Sequence, residues 1–260
     1  VGRIAALNMY PVYHGLEEAA GRLRFLDGVP ADLNAALLEG RVDVSAVSSI
    51  AYARNADSLV LLPVASITAT GAVDSIQLFS NVPFAKVRDI AVTPHSATSV
   101  ALLRILVGDR PPPFATLDEA PERALRSHDA VLLIGDEALE GHRAGLGRHR
   151  TDLAALWRER TGLPMVFAVW AARNEAVDRD PVGIRELSEQ LVRALSAYER
   201  EPELVARAAA GRFPFPPEYV RSYLGRLRYE FGPAERAGLE RFLQMAETAG
   251  LLEHVPELAA

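Results

Sequence analysis

The sequence predicts an α/β protein of two lobes, with the second inserted into the first. Three observations predict it. Short apolar runs rich in β-branched residues alternate with segments of helical spacing, the pattern of strands and helices laid in turn. Several of these runs stop at small polar residues: Asn8, Ser48 and Ser49, the stretch 68–75, and the stretch 96–99. The chain from Val182 onward reads as almost wholly helical, which suits elements packed around the first lobe. The chain is expected to cross between lobes near 83–86 and 164–171, giving residues 1–84 and 168–260 to lobe one and 85–167 to lobe two. A cleft between them would face the polar strand ends.

The chain opens on Ile4, Ala5, Ala6 and Leu7, an apolar run too short for a helix and suited to a strand covered on both faces. Asn8 ends the run, and Pro11 forbids its simple continuation. Open α/β sheets bind ligands beyond the carboxyl ends of their strands. Asn8 therefore stands where a ligand would, with a donor and an acceptor on one side chain. Leu16, Ala19, Ala20 and Leu23 give a helix over 15–26, and Pro30 opens another whose apolar face is Leu33, Leu37 and Leu38, stopped by Gly40. A strand over 42–47 runs through Ser48 and Ser49 into a helix at 50–54.

Residues 59–67 form an apolar run interrupted by Pro63, and strands are expected at 76–79 and 89–93. Ser96, Thr98 and Ser99 precede Val100, Leu102, Leu103 and Leu106, so they read as the cap of a helix. A loop at 108–113 leads to a strand at 114–117. Another strand, 130–134, ends at Gly135 and Asp136. A helix over 151–160 is capped by Thr151 or a neighbour, and 165–171 is the strongest late strand.

With 260 residues, the chain has room for one large domain or two smaller ones. A net charge of -6 argues against a general nucleic-acid binder, yet does not exclude an anionic small ligand, because local dipoles can outweigh net charge. The absence of cysteine removes disulfides, zinc–thiolate sites and a thiol nucleophile. No apolar stretch reaches the ~18 residues that span a bilayer, and no signal peptide is visible, so a cytoplasmic location is expected. No P-loop, glycine-rich dinucleotide fingerprint, paired-histidine spacing or nucleophile elbow occurs, so neither cofactor nor metal is expected. What remains is the set of polar clusters at strand ends. Their hydroxyls, amides and helix starts make a good environment for carboxylates. Asp43 and Asp136 stand where they could touch the cleft, though helix capping is the commoner role; Trp157 and Trp170 could line a ring pocket, though packing is the commoner role; Arg221, Arg226 and Arg228 read as solvated charge. Tyr219, Tyr223, Leu224 and Leu227 read as core or a subunit contact.

These residues also carry a resemblance. In order come Leu7-Asn8 followed by Pro11, Asp43-Val44-Ser45 leading to Ser48-Ser49, Gly71-x-Val73-x-Ser75, and Ser96-Ala97-Thr98-Ser99. Then follow Leu133-Ile134-Gly135-Asp136-x-Ala138, Asp152-Leu153 with Trp157, Thr161-Gly162-Leu163-Pro164, and Phe167-Ala168-x-Trp170. Over residues 1–175 the set resembles the chorismate dehydratases of the futalosine route to menaquinone.

The resemblance implies a periplasmic-binding-protein-like (type II) fold, with a ligand cleft between lobes and the helical C-terminal tail packed on lobe one. It implies loss of water from chorismate, giving 3-[(1-carboxyvinyl)oxy]benzoate, with no cofactor, metal, nucleic acid or membrane, and with a homodimer left open. It implies Asn8 as the catalytic residue, and Ser48, Ser49, Thr70, Gly71, Ser75, Ser96, Thr98 and Ser99 as substrate-binding. These motifs contain donors but no ordinary base. The substrate's own enolpyruvyl carboxylate, held by Asn8, is the expected base, with His95 as its competitor. Two other functions are compatible with this fold: a solute-binding receptor for a small carboxylate, and the dihydroxynaphthoate-forming enzyme of the same pathway.

Overall fold

Strand β1 (Gly2–Ile4) leads through a 3-10 turn at Leu7–Met9 into helix α1 (Tyr10–Glu18). The computed structural model describes residues 1–18, 23–108 and 111–258. After α1 come β2 (Leu26–Gly28), α2 (Pro30–Leu38), β3 (Val44–Ser48), α3 (Ser49–Arg54), β4 (Leu59–Ala69) and β5 (Ile76–Ser80). The chain continues with β6 (Ile90–Val92), α4 (Ala97–Val107), β7 (Phe114–Thr116), α5 (Pro121–Ser127), β8 (Ala130–Ile134), α6 (Gly135–Ala144), β9 (His149–Asp152) and α7 (Leu153–Thr161). It closes with β10 (Met165–Arg173), α8 (Asn174–Arg179), α9 (Pro181–Arg200), α10 (Pro202–Ala210), α11 (Pro217–Leu224), β11 (Leu227–Arg228) and α12 (Pro233–Thr248).

The strands form two main sheets. One has four strands in the order β11-β4-β10-β3, with the parallel pair β1-β2 lying against β3. The other has five strands, in the order β7-β6-β8-β5-β9. Strand β10 organises the first sheet, pairing antiparallel with β3 on one side and β4 on the other. Pro63 does not divide β4. Val169 faces Ser66 but Trp170 faces Leu62, so residues 63–65 bulge out of the ladder. The bulge accommodates a residue that has no N–H to give.

In the second sheet, β8 (Ala-Val-Leu-Leu-Ile) sits centrally, where burial on both faces calls for an unbroken apolar run. Alternation still sorts its side chains. Leu132, with Leu78 of β5, joins the main core, while Val131 and Leu133, with Phe79, form a smaller core on the opposite face.

The main core runs under both sheets and takes in the C-terminal helices. Trp157 and Trp170 are fully buried, as packing predicts. Trp157 Nε1 donates to the Pro164 carbonyl at 3.1 Å, and its ring meets Phe242 of α12 edge-on at 6.2 Å. Gly238 lies directly against that same carbonyl, and a Cβ there would collide with it. This contact lets α12 dock on the start of β10.

Several boundaries differ from expectation. The first strand stops at Ile4, and the helix begins at Tyr10 rather than 15. Pro11 lies in the first turn of α1, where its missing N–H leaves no bond unmade. Ala19 and Ala20 lie outside the described residues, while Leu26 belongs to a strand rather than the expected helix. α5, α6, α8 and β9 carry too little apolar pattern to be read beforehand. Helix α6 buries only Ala138 and Leu139, and β9 is the edge strand His-Arg-Thr-Asp. Arg226 is not a purely solvated charge, since it pairs with Asp74.

Candidate active site

Two polar contacts join a loop and a helix start beside one sheet to helix starts of the other. At the first, the Leu7 amide donates to Asp136 Oδ1 at 3.1 Å, across 129 residues of sequence. At the second, the Ile50 amide donates to Thr98 Oγ1 at 3.1 Å. The loop after β1 thus meets the start of α6, and the start of α3 meets the start of α4. Strand ends from both sheets face each other here, where open α/β folds place ligands.

Asn8 stands at the first contact. The Tyr229 hydroxyl donates to its backbone carbonyl at 3.0 Å and fixes the turn. Its side-chain Oδ1 is buried and has no hydrogen-bond partner among the described residues. Such an orphan acceptor costs about 1–3 kcal/mol, which is tolerable where a ligand completes it.

By sequence Asp136 is either a helix cap or a cleft contact. It does not cap α6; it reaches across to the Leu7 amide. Gly135 makes that placement possible. Its φ of 57° turns the chain sharply out of β8, and its amide donates to the Ser75 carbonyl at 2.8 Å. Burial pushes the Asp136 carboxyl up to about 6, against the pull of the Leu7 amide and with a small push from Glu140. No ion pair of Asp136 occurs among the described residues. The buried Tyr223 of α11 lies close enough to feel its charge, with Ser75 beside it.

A cavity of about 300 Å³ opens near the second contact, lined by Asn34, Arg54, His95, Ser96 and Arg104 among others. Asn34 Nδ2 points toward Ser48 Oγ at 3.5 Å, and Asn34 Oδ1 has no hydrogen-bond partner among the described residues. Ser96 caps α4 as expected, accepting from the Ser99 amide at 3.2 Å and donating to Ser99 Oγ at 2.8 Å. His95 is exposed and sits near enough to Glu137 to favour that carboxylate's charged form. Arg54 donates to the Leu251 carbonyl at 2.9 Å, and Arg104 lies over the Phe114 ring at 4.4 Å. Two guanidinium groups on one small cavity favour an anion. Neither was singled out in the sequence, where nothing marks an arginine on a helix as cleft-facing.

The expected site residues are not all brought to one place. Asn8 and Ser75 belong to the first contact, and Ser48 and Ser96 to the second. Ser49, Thr98 and Ser99 are fully buried and hold the protein's own structure. The Ser49 hydroxyl donates to the Val166 carbonyl at 2.7 Å, and Thr98 serves the Ile50 amide. Thr70 is exposed and Gly71 open-sided, both on the loop joining β4 to β5. Asp43 lies outside this arrangement, paired with Arg179 at 2.7 Å.

That joining loop is anchored by Asp152. Its Oδ2 accepts from the Val73 amide at 2.9 Å, the Asp74 amide at 2.8 Å and Gln77 Nε2 at 2.7 Å. Its Oδ1 caps α7 through the Ala155 amide at 3.0 Å. Asp74 sits in the left-handed region, with φ 63°, which a residue other than glycine holds only when its surroundings enforce it.

Known proteins share this architecture and sequence. The chain is similar to a Candida albicans protein described as having the generic periplasmic-binding-protein fold, with a TM-score of 0.70 at 10% identity, covering 99% of this chain and 91% of that one. This is the two-lobed α/β fold expected from the sequence. Chorismate dehydratase of Thermus thermophilus is 36% identical, covering 94% of this chain and 92% of the relative. Chorismate dehydratase of Campylobacter jejuni is 27% identical over the same shares. A family model described as menaquinone biosynthesis matches residues 1–248. With nearly its whole length matched, the chain belongs to the menaquinone biosynthesis family.

Proposed function

We propose that this protein is a chorismate dehydratase, removing water from chorismate to give 3-[(1-carboxyvinyl)oxy]benzoate on the futalosine route to menaquinone. The observation that carries the reading is the buried, unpartnered Oδ1 of Asn8 at the seam between the sheets. The ring hydrogen at the ether-bearing carbon is acidified because the resulting charge spreads to the ring carboxylate. The enolpyruvyl carboxylate is the nearest base, and holding it in place raises its effective concentration greatly.

A carboxamide suits this task better than a carboxylate. Its N–H can donate to the ionised carboxylate, and its Oδ1 can accept from the same group once that group gains the proton. The second bond exists only as the proton arrives, so it favours the transition state over the bound substrate. The guanidinium groups of Arg54 and Arg104, with Ser48 and Ser96, would receive the other carboxylate. His95, exposed and facing Glu137, is a weaker candidate for the base.

We also propose the two-lobe division and a cytoplasmic setting. Sheet pairing supports the first, with β5 to β9 forming one unit and β10 returning to the other; this draws the lines in the segments 70–75 and 162–164, earlier than the expected 84 and 167. For the second, no helix among the described residues is long and apolar enough to cross a membrane.

Incubating the purified protein with chorismate tests the function. Proton NMR should show the ring alkene signals replaced by a meta-substituted aromatic pattern, with the vinylic pair retained. Chorismate that binds yet stays unchanged would favour a solute-binding receptor instead.

A further inference from the structure

We infer that Asp136 is the general acid that protonates the departing ring hydroxyl, in the same site and resting on the dehydratase reading above. The elimination has two proton requirements. The substrate carboxylate meets one by taking the ring hydrogen. The other is the leaving group: hydroxide departs poorly unless it is protonated as it goes. The residue that meets this need must be a carboxyl or similar group, largely shielded from water, uncharged when required, and beside Asn8.

Asp136 is placed for this. Its Oδ1 accepts from the amide of Leu7, the residue immediately before Asn8, at 3.1 Å. It has no cationic partner among the described residues. The charged or titratable groups facing it are Glu140 on its own helix and Tyr223 on α11. The first repels a negative charge and the second is neutral in this setting, since burial holds its phenol well above its ordinary range. The start of α6 favours the ionised form through the helix dipole, typically by less than about 1 kcal/mol. Burial outweighs that and leaves the carboxyl at about 6. A doubly anionic substrate beside it pushes the same way, so the neutral acid gains further once chorismate is bound.

The step balances without any other reactant. The C–H bond at the ether-bearing carbon breaks, and its proton passes to the enolpyruvyl carboxylate. The electron pair spreads toward the ring carboxylate and then expels the hydroxyl. The C–O bond breaks with its pair on oxygen, and the Asp136 O–H proton joins that oxygen to make water. The proton on the enolpyruvyl carboxyl then returns to the Asp136 carboxylate, and both groups are restored.

Asp136→Asn separates this role from a purely structural one, because an amide oxygen can still accept from Leu7. On chorismate, the variant should lose about 10²–10³-fold in kcat with KM changed by less than about threefold. Wild-type kcat should fall with rising pH as the acid ionises in the complex, and that limb should be missing from the variant. The second substrate is the chorismate analogue with fluorine in place of the ring hydroxyl, because fluoride leaves without a proton. On it, the variant should come within about fivefold of wild type, using the same acid-catalysis scale. Undiminished turnover of chorismate by Asp136→Asn overturns the assignment, as do equal losses on both substrates. A wild-type protein that leaves chorismate unchanged removes the functional reading itself, an outcome distinct from either.

Discussion

Replacing Asn8 by alanine is expected to lower kcat about 10²–10³-fold while KM stays within a few-fold, the usual result of removing one preorganised hydrogen-bonding group from a charge-developing step. The reason lies in when its two bonds form. The N–H of the carboxamide holds the substrate carboxylate in both ground and transition state. On the proposed mechanism the acceptor Oδ1, which has no partner among the described residues, would find its donor only as that carboxylate becomes a carboxylic acid. Truncation removes both, and the loss falls mainly on kcat. The fold should survive, because the turn is held through backbone groups: the Asn8 carbonyl by Tyr229 and the Leu7 amide by Asp136. Steady-state kinetics with a thermal melt on the same sample checks this. A raised KM at unchanged kcat would make Asn8 a simple binding residue.

Replacing Asp152 by alanine should destabilise the protein by about 3–5 kcal/mol, the range found when a buried charged partner is removed from its donors. One carboxylate accepts from three backbone amides and the Gln77 side chain. Burial pushes this carboxyl up, while the Ala155, Asp74 and Val73 amides pull it down. Alanine leaves the donors with no replacement acceptor, and leaves Asp74 in its left-handed conformation with less to enforce it. Asn at this position is also costly, because its NH₂ must face donors wherever it points. Urea unfolding would show a lower midpoint with little change in slope. A loss under about 1 kcal/mol would mean that the loop between the sheets is held elsewhere, for instance by Arg226 on Asp74.

The parts of this molecule that were legible in sequence are those governed by local pattern. β8 and β10 announce themselves as apolar runs and Ser96 as a cap, whereas Asn8, a polar stop at a strand end by sequence, lies in the 3-10 turn that follows a strand ending at Ile4. The parts that were not legible depend on partners far along the chain. Asp136 looks like any aspartate at a helix start, and only the fold shows that its partner is Leu7. Ser49 and Thr98 look like ligand-facing hydroxyls, yet each meets a main-chain group of the protein. Arg54 and Arg104 sit at helical positions with no local sign that both border one cavity. Pro63 signals a break in pairing, and the bulge that absorbs it depends on β10, about a hundred residues later in the chain.

The most direct measurement is a crystal structure of the wild-type protein with 3-[(1-carboxyvinyl)oxy]benzoate bound. The expected result places the enolpyruvyl carboxyl within hydrogen-bond distance of the Asn8 side chain, with Asp136 facing the former hydroxyl position and the ring carboxylate toward Ser48, Ser96 and the two arginines. Product seated away from the seam between the sheets, or with Asn8 turned from both carboxylates, would contradict it.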